Sequence, residues 1–181
     1  VETLQYLEEL AAENSDIIFF TGDLVNNKAE ELNDWKSLFS TLEAKHGVKS
    51  VLGNHDSGDY VLWSSPDEKN NNLQSPMDIQ KEMGWDLLID EHRKITIGED
   101  SIAVLGIQNW GAKGRFPKYG DLSKANEGLD PGLTKLLLSH DPSHWKDQVL
   151  PDFSDIDLMF SGHTHGFQFG IEVGSIKWSP V

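Results

Sequence analysis

Two histidines separated by one residue, His163 and His165, follow a short apolar run in the stretch "LMFSGHTHGF" (158–167). Residues i and i+2 of an extended segment point to the same side, so both imidazoles can face one site. Gly162 and Gly166 flank the pair and permit a tight turn of the backbone. Because imidazole is a common metal ligand, the pattern indicates a metal site.

Three other apolar runs end in side chains that can also bind a metal. They are "IIFFTGD", which ends at Asp23; "VLGNHD", which ends at Asn54, His55 and Asp56; and "LLLSHD", which ends at His140 and Asp141. Ligands of open α/β sheets bind at the carboxyl edge of the strands, so we expect these four segments to converge there. Carboxylate, amide and imidazole donors without a thiolate suit Mn²⁺, Fe or Zn²⁺.

Each motif taken alone has an ordinary structural explanation. A single "TGD" is typical of a turn after a strand, "GNHD" of a polar turn, and a lone histidine after a strand of a cap. A buried-looking strand precedes all four motifs, however, and this shared context favours one metal centre over four unrelated turns.

The elements that must position these motifs alternate along the chain. Helical spacing of apolar residues predicts helices over 1–14 and 29–45, and short apolar runs predict strands at 16–20, 48–52, 132–139 and 155–160. Alternation of strands with helices indicates an α/β domain with a largely parallel central sheet.

The remaining segments are predicted from their turn residues. The stretch 57–75, rich in Gly, Pro and Asn, predicts a polar surface segment. Ser75 followed by Pro76 predicts the start of a helix that runs to Met83. Two hairpins are predicted, one pairing 92–97 with 101–108 and one over 167–178 that turns at Gly174.

Composition limits the classes of function. The 181 residues suffice for a single domain over 1–181, with 38% hydrophobic and 25% charged residues. The net charge of −15 argues against nonspecific binding of nucleic acid or of anionic membranes. No cysteine is available for a disulfide or a thiolate metal site, and no apolar run is long enough to span a membrane.

The four motifs together resemble the calcineurin-like metallophosphoesterase family. Its signature blocks stand here as Gly22-Asp23, Gly53-Asn54-His55-Asp56, His140 and Gly162-His163-Thr164-His165, within a match from Asp16 to Gln168. The resemblance implies a two-layer β-sandwich flanked by helices, with two divalent metal ions at its upper edge. It also implies hydrolysis of phosphomonoesters or phosphodiesters by a hydroxide that the two metals activate. The partner would be a phosphorylated small molecule or another phosphoester.

The resemblance also implies a role for each matching residue. Asp23 would bridge the two metals; Asn54, His140 and His163 would complete the protein ligands of the second metal, and His165 would bind the first. His55 would contact the substrate and protonate the leaving oxygen, with Asp56 orienting it.

One family block has no counterpart in the chain. The Asp-x-His block that supplies two ligands to the first metal should precede the helix predicted over 1–14. We therefore expect the chain to be a fragment, truncated at both ends, whose incomplete first site impairs activity. In such relatives an N-terminal hydrophobic segment often directs export or tethers the protein to a membrane.

Two weaker signals point to substrate contacts. Lys113 and Arg115 lie in the most basic segment of the acidic chain, 109–122, where aromatic residues are interleaved. A segment of this kind is either a solvated loop or a lid that offers cations to a phosphate. His144 follows His140 by about one helical turn and can either reach the substrate or cap the chain at the surface.

Two alternative functions are weighed against the hydrolase. A noncatalytic protein-interaction scaffold could use the same fold, but it would need neither His55 nor the later ligands. A dinuclear amidohydrolase barrel also uses an H-x-H pair, but there the pair normally follows the first strand and here it follows the last of four.

Overall fold

The computed structural model describes residues 7, 9–10, 12–111, 116–165, 171–174 and 176–178. The strands are β1 (Ile18–Phe20), β2 (Val48–Ser50), β3 (Asp86–Leu87), β4 (Glu91–Ile97), β5 (Asp100–Gly106), β6 (Thr134–Leu138), β7 (Leu158–Phe160), β8 (Ile171–Val173) and β9 (Ile176–Trp178). The helices span Lys36–Phe39, Pro66–Glu82, Leu122–Asn126 and Leu150–Asp152, with a 3₁₀ turn at Ala29–Leu32 and a π-helical turn at Trp145–Val149. No helix in these described ranges combines the length and apolar character needed to cross a bilayer.

The strands form two main sheets and one separate hairpin. The first sheet has the order β1-β2-β3 and is parallel. The second has the order β4-β5-β6-β7, in which β4 and β5 are antiparallel and the other pairs are parallel. The strands β8 and β9 pair with each other, and Gly174 makes the turn between them with φ of 60°. Both predicted hairpins are confirmed.

The two main sheets pack face to face around a shared core. Alternate residues of a strand point to opposite faces, so Phe19 of β1 and Val104 of β5 face inward. The same cluster contains Val51, Leu88 and Leu138, each at the carboxyl end of a strand or just beyond it. This packing confirms the two-layer sandwich that the resemblance implied; the single central sheet predicted from alternation is instead two sheets.

Helices and loops cover the outer faces of both sheets. On the first sheet, Phe20 and Val48 pack against Leu42, Met83 and Trp85. On the second, residues of β5 and β6 pack against the helix at Leu122–Asn126 and the turn at Trp145–Val149; the buried members are Ala103, Leu105, Leu137, Leu122, Ala125 and Val149. Burial on both sides accounts for the short apolar runs of β1 and of the second half of β6.

The prediction of one continuous helix over 29–45 is wrong. The 3₁₀ turn and the helix at Lys36–Phe39 are separated by residues 33–35. Asn33 and Asp34 occupy this break, and both side chains favour turns over helix interiors. The apolar periodicity nevertheless identifies buried positions, because Leu32 and Leu42 both lie in the core. Of the helix predicted over 1–14, residues 7, 9, 10 and 12 are helical and most of the rest lie outside the described residues.

The prediction of a polar surface segment over 57–75 is also wrong in its second half. The helix Pro66–Glu82 begins about ten residues before the predicted start at Ser75. Its N-cap is Ser65, whose hydroxyl accepts a hydrogen bond from the Glu68 N–H at 3.2 Å. Ser65-Pro66 and Ser75-Pro76 both predict a helix start, and the helix begins at the earlier pair.

Gly106, the last residue of β5, sits where the two sheets approach closely. A Cβ added there would lie 2.4 Å from Leu88 Cβ and 2.8 Å from Val51 Cγ1. We predict that Gly106→Ala lowers the free energy of unfolding by about 1–3 kcal/mol, because the added methyl group overpacks the core. Urea denaturation measures the change. Gly132→Ala is the control, since its nearest neighbour would be Asp130 Oδ1 at 3.4 Å; equal stabilities of the two variants would contradict the prediction.

Candidate metal centre

Three of the predicted ligands converge beyond the carboxyl ends of β1, β6 and β7. One ligand atom from each of Asp23, His140 and His163 lies within 4.8 Å of the others, a separation that one metal ion can bridge. The Gly162 N–H donates to the His140 carbonyl at 3.0 Å, which fixes the His163 loop beside β6. His140 and His163 follow Asp23 by 117 and 140 positions in the sequence, and the fold brings all three to one edge of the sandwich.

The ring of His140 is held in the tautomer that a metal ligand needs. Its Nδ1 lies 2.6 Å from the Thr21 carbonyl, which can only accept a hydrogen bond, so Nδ1 carries the proton. Its Nε2 is buried and lies 3.0 Å from Asp23 Oδ2, yet it has no well-oriented hydrogen bond among the described residues. Two acceptors this close require a proton or a cation between them.

Three candidate ligands have left-handed backbones. Asp23, His163 and His165 have φ of 58°, 68° and 51°. A non-glycine residue in this region costs of order 1 kcal/mol or more and persists only where its surroundings enforce it. Gly22 shares the tight turn at φ of 96°, and a Cβ there would lie 2.5 Å from the Gly53 nitrogen. The site loops therefore hold their side chains at a conformational cost.

Asp56 enforces the conformation of the Asp23 loop and ties it to the loop after β2. Its Oδ2 accepts from the N–H groups of Asp23 and Gly53 at 2.9 and 2.8 Å. Its Oδ1 accepts from Leu24 and Val25 at 2.8 and 3.1 Å. The fully buried carboxylate thus joins the loop after β1 to the loop after β2.

The hydrogen bonds of Asp56 go to the backbone and not to the His55 imidazole that the resemblance implied. The physical reason is that the loop N–H groups beside β1 and β2 have no strand partner and surround the carboxylate. Burial raises the pKa of Asp56 to about 6; the N–H groups of Gly53, Val25 and Leu24 oppose this shift, and the Asp23 charge adds to it.

His55 projects from the same loop with one ring nitrogen engaged. Its backbone N–H donates to Asp23 Oδ1 at 2.9 Å. Its Nδ1 lies 2.6 Å from the Asn26 carbonyl, so Nδ1 carries a proton and Nε2 is the atom that can exchange one. The Tyr60 ring lies against the imidazole, with centroids 4.9 Å apart.

Glu31 fixes the loop that carries the Asn26 carbonyl. Its carboxylate accepts from the N–H groups of Asn26, Asn27 and Lys28 at 2.8 to 3.0 Å. Burial would raise the pKa of Glu31, but these N–H groups lower it below its ordinary value. A carboxylate outside the recognised motifs therefore positions the partner of His55.

Two adjoining open grooves contain the remaining predicted ligands. Asn54, His55, Phe116 and residues 163–165 line a groove of about 490 Å³. Asp23, His140 and residues 161–165 line a second groove of about 350 Å³ together with Gly22. His165 is exposed and borders both grooves, outside the cluster of three.

The charges at the centre suit cation binding. Burial would raise the pKa of Asp23, but His140 and the His55 N–H lower it below its ordinary value. Burial would lower the pKa of His140, but Asp23 raises it. Burial and the neighbouring His140 both lower the pKa of His163. The carboxylate is therefore ionised and His163 is neutral near pH 7, as metal ligands must be.

The donor set fits a divalent metal. Besides His140 Nε2, the Asn54 Oδ1 atom is buried and has no hydrogen-bond partner within the described part of the chain. An unsatisfied buried acceptor is costly, and a cation between such acceptors removes that cost. One carboxylate, one amide oxygen and imidazole nitrogens match the ligands that Mn²⁺, Fe and Zn²⁺ accept.

Asp141 and Phe116 also lie at the site, although neither was assigned as a metal ligand or a catalytic residue. Asp141 Oδ2 is 3.7 Å from His163 Nε2, and the Phe116 ring meets the His163 ring edge-on with centroids 4.7 Å apart. Direct adjacency to His140 was the sequence signal for Asp141. For Phe116 the sequence offered only its place among the interleaved aromatic residues of 109–122, which does not predict the residue that its ring contacts.

Of the substrate residues predicted from weaker signals, the structure describes only His144. His144 is fully buried: its Nδ1 lies 2.9 Å from Ser139 Oγ, its Nε2 lies 2.8 Å from Gln148 Oε1, and its ring stacks on Trp110. Lys113 and Arg115 lie outside the described residues.

Known proteins with similar sequences carry the same domain. The sequence model of the calcineurin-like phosphoesterase family matches residues 1–167. A transmembrane protein with a metallophosphoesterase domain from Danio rerio is 29% identical over 162 residues, which cover 86% of this chain and 34% of the relative. The UDP-2,3-diacylglucosamine pyrophosphatase LpxG of Chlamydia muridarum is 27% identical over an alignment of 196 positions, gaps included, that covers 86% of this chain and 55% of the relative. The chain thus spans about a third to just over half of these curated relatives.

A solved structure shares the fold. The NAD nucleotidase NadN of Haemophilus influenzae matches with a TM-score of 0.55 at 17% identity, over 90% of this chain and 32% of that chain. At this level of identity the likeness shows the fold and nothing more specific.

Proposed function

The chain belongs to the calcineurin-like phosphoesterase family, and from this premise we propose that it is a metal-dependent phosphohydrolase that cleaves a phosphomonoester or phosphodiester. Asp23, Asn54, His140, His163 and His165 are the proposed ligands, and Mn²⁺, Fe or Zn²⁺ are the proposed ions. When bound, two such cations neutralise phosphoryl oxygens and lower the pKa of a water for in-line attack.

The single observation that carries this proposal is the pairing of His140 with Asp23. The Thr21 carbonyl fixes a proton on Nδ1, and Nε2 lies 3.0 Å from a carboxylate oxygen, so a proton or a cation must lie between them. His163 adds a third donor within 4.8 Å. Three ligand atoms that converge at the edge of a sandwich support a cation site, and a scaffold without a metal would not need them.

His55 is the proposed general acid. The Asn26 carbonyl holds its Nδ1–H, so Nε2 is left to deliver a proton to the leaving oxygen. The backbone N–H of His55 also binds Asp23 Oδ1, which couples the acid to the proposed ligand. Asp56 positions His55 and Asp23 because its carboxylate joins the loops that carry them.

The substrate is proposed to be a phosphorylated small molecule. The relative from Chlamydia muridarum acts on a UDP-diacylglucosamine pyrophosphate bond according to its name, and the structural neighbour is named an NAD nucleotidase. The grooves beside Phe116 are open enough to admit such a molecule. Lys113 and Arg115 are proposed to pair with its phosphate groups, since they are the nearest basic residues in the sequence to Phe116 on its N-terminal side.

The test is hydrolysis of 4-nitrophenyl phosphate and bis(4-nitrophenyl) phosphate by the full-length protein, with and without Mn²⁺. We predict that turnover requires the metal and that His55→Ala lowers it about 10²–10⁴-fold, because the leaving oxygen loses its proton donor. Metal content, measured by elemental analysis, should be the same in His55→Ala and in the unmodified protein.

His92→Ala is the matched control for this experiment. His92 is also half-buried, and its Nδ1 also lies near a backbone carbonyl, that of Ala125 at 2.8 Å, but it belongs to β4. Its turnover should stay within about twofold of the unmodified protein, as for a substitution remote from the chemistry. Metal-independent turnover, or equal losses in the two variants, would contradict the proposed function.

A further inference from the structure

The side-chain amide of Asn54 has two different environments at its two ends. Its Nδ2 donates to the Tyr60 hydroxyl at 2.9 Å. Its Oδ1 is buried and makes no hydrogen bond within the described residues. Asn54 itself is 1% exposed, so neither end can turn to solvent.

Asn54 can bind a metal ion only if its amide oxygen, and not its NH₂ group, faces the metal centre. An amide oxygen can bind a cation, whereas an amide NH₂ group is a donor and cannot. The two ends have nearly the same size and shape, so packing alone does not select between them. When a cation attracts Oδ1, the Nδ2 group at the other end needs an acceptor, and the Tyr60 hydroxyl is that acceptor.

Tyr60 is itself fixed by the loop it belongs to. The adjacent Asp59 carboxylate accepts hydrogen bonds from Ser57 Oγ, the Lys69 ammonium and the Tyr119 hydroxyl. Lys69 lies on the helix Pro66–Glu82, so this loop is tied to that helix. The Tyr60 ring also lies 4.9 Å from the His55 ring, which limits its movement over the site.

We propose that Tyr60 is a positioning residue whose hydroxyl holds the Asn54 amide with Oδ1 facing the metal centre. The inference rests on the metal centre of the proposed function. Tyr60 acts through Asn54 and need not touch a metal or a substrate. It lies five residues after His55, outside every motif that identified the site.

Tyr60→Phe tests the proposal by removing the hydroxyl and keeping the ring. We expect the dissociation constant for Co²⁺ or Mn²⁺ to rise about 10–100-fold, the size of effect that groups orienting a metal ligand have. The measurement is a titration of metal-free protein, followed by Co²⁺ absorbance or by calorimetry, and it does not depend on turnover.

Tyr119→Phe is the matched control. Tyr60 and Tyr119 are both 46% exposed, and each hydroxyl makes a 2.9 Å hydrogen bond, but Tyr119 bonds to Asp59. Its metal affinity should stay within about twofold of the unmodified protein, since an exposed hydrogen bond away from the ligands contributes little. Thermal unfolding of both variants, compared with the unmodified protein, separates loss of affinity from loss of folding.

A double substitution isolates the orienting role. In Asn54→Asp both ends of the side chain are oxygens, so adding Tyr60→Phe to this variant should change metal affinity less than about twofold. The inference would be overturned if Tyr60→Phe had the same effect in the unmodified protein and in Asn54→Asp, or no effect in either. Metal binding without hydrolysis in the unmodified protein would contradict the proposed function and leave the inference standing.

Discussion

Asp23→Asn is expected to lower metal-dependent turnover by about 10²–10³-fold or more, the loss seen when one charge-stabilising group is removed from an active site. Asparagine matches aspartate in shape and tolerates a left-handed backbone, so φ of 58° should persist. The substitution therefore removes mainly the charge. It also leaves His140 Nε2 beside an amide that is a much weaker metal ligand than a carboxylate.

The same variant should bind metal at least about 10-fold more weakly, since a carboxylate that binds the metal, as proposed for Asp23, contributes more than an outer partner does. Metal titration and turnover of the aryl phosphate would be measured on the same preparation. In the metal-free state, His140 loses the charge that raises its pKa. Its titration, followed by NMR, should therefore shift to lower pH in Asp23→Asn.

Asp90→Asn is the control for Asp23→Asn. Asp90 is also a buried aspartate with a left-handed backbone, at φ of 55°, and it accepts hydrogen bonds from Gln108 and Asp121. Its substitution should lower stability but leave metal affinity within about twofold in the folded protein. If Asp23→Asn kept full metal affinity and turnover, the proposed role of Asp23 would be excluded.

The meeting of three ligand segments could be predicted from the sequence because it follows from strand topology, whereas the sandwich was implied by the family resemblance. Apolar runs that end in "TGD", "LLLSHD" and "GHTH" place Asp23, His140 and His163 beyond the carboxyl ends of β1, β6 and β7. Parallel neighbours within a sheet then bring the ends of β6 and β7 together. Contact between the sheets brings the end of β1 to them.

The helix Pro66–Glu82 could not be predicted in full, because its first half depends on a distant contact. Asn72 lies in the run of three asparagines that predicts a loop. Its Oδ1 accepts from the Ala29 N–H at 2.8 Å, and its Nδ2 donates to the Asn27 carbonyl at 3.0 Å. These bonds cap the 3₁₀ turn, which lies more than forty residues away in the sequence. They stabilise an asparagine inside the helix, where its intrinsic propensity is unfavourable.

The supporting residues of the site were also beyond sequence reasoning. Glu31, Tyr60 and the Asn26 carbonyl act through hydrogen bonds whose partners are set by the geometry of the loops. Such loops leave no periodic signal. The resemblance implied that Asp56 orients the His55 ring. In the structure, four backbone N–H groups surround the Asp56 carboxylate instead.

Asp56→Ala is therefore predicted to cause the largest loss of stability among the site residues, about 3–5 kcal/mol in the free energy of unfolding. Four backbone N–H groups would lose their acceptor, and each unsatisfied buried donor costs about 1–3 kcal/mol before water or relaxation compensates. The Asp23 turn would also lose the contact that enforces its left-handed backbone. Urea denaturation of the metal-free protein measures the change without a contribution from bound metal.

Two further variants identify the cause of that loss. Asp56→Asn keeps the size of the side chain but turns an NH₂ group toward two N–H donors, so we expect a loss of about 2–3 kcal/mol. Asp121→Ala removes an aspartate that accepts from the Lys124 N–H at the start of a helix, and an N-cap of this kind contributes about 1 kcal/mol. Because Asp56 spans two loops and Asp121 caps one helix, a loss in Asp56→Ala no larger than that in Asp121→Ala would show that Asp56 does not join the loops energetically.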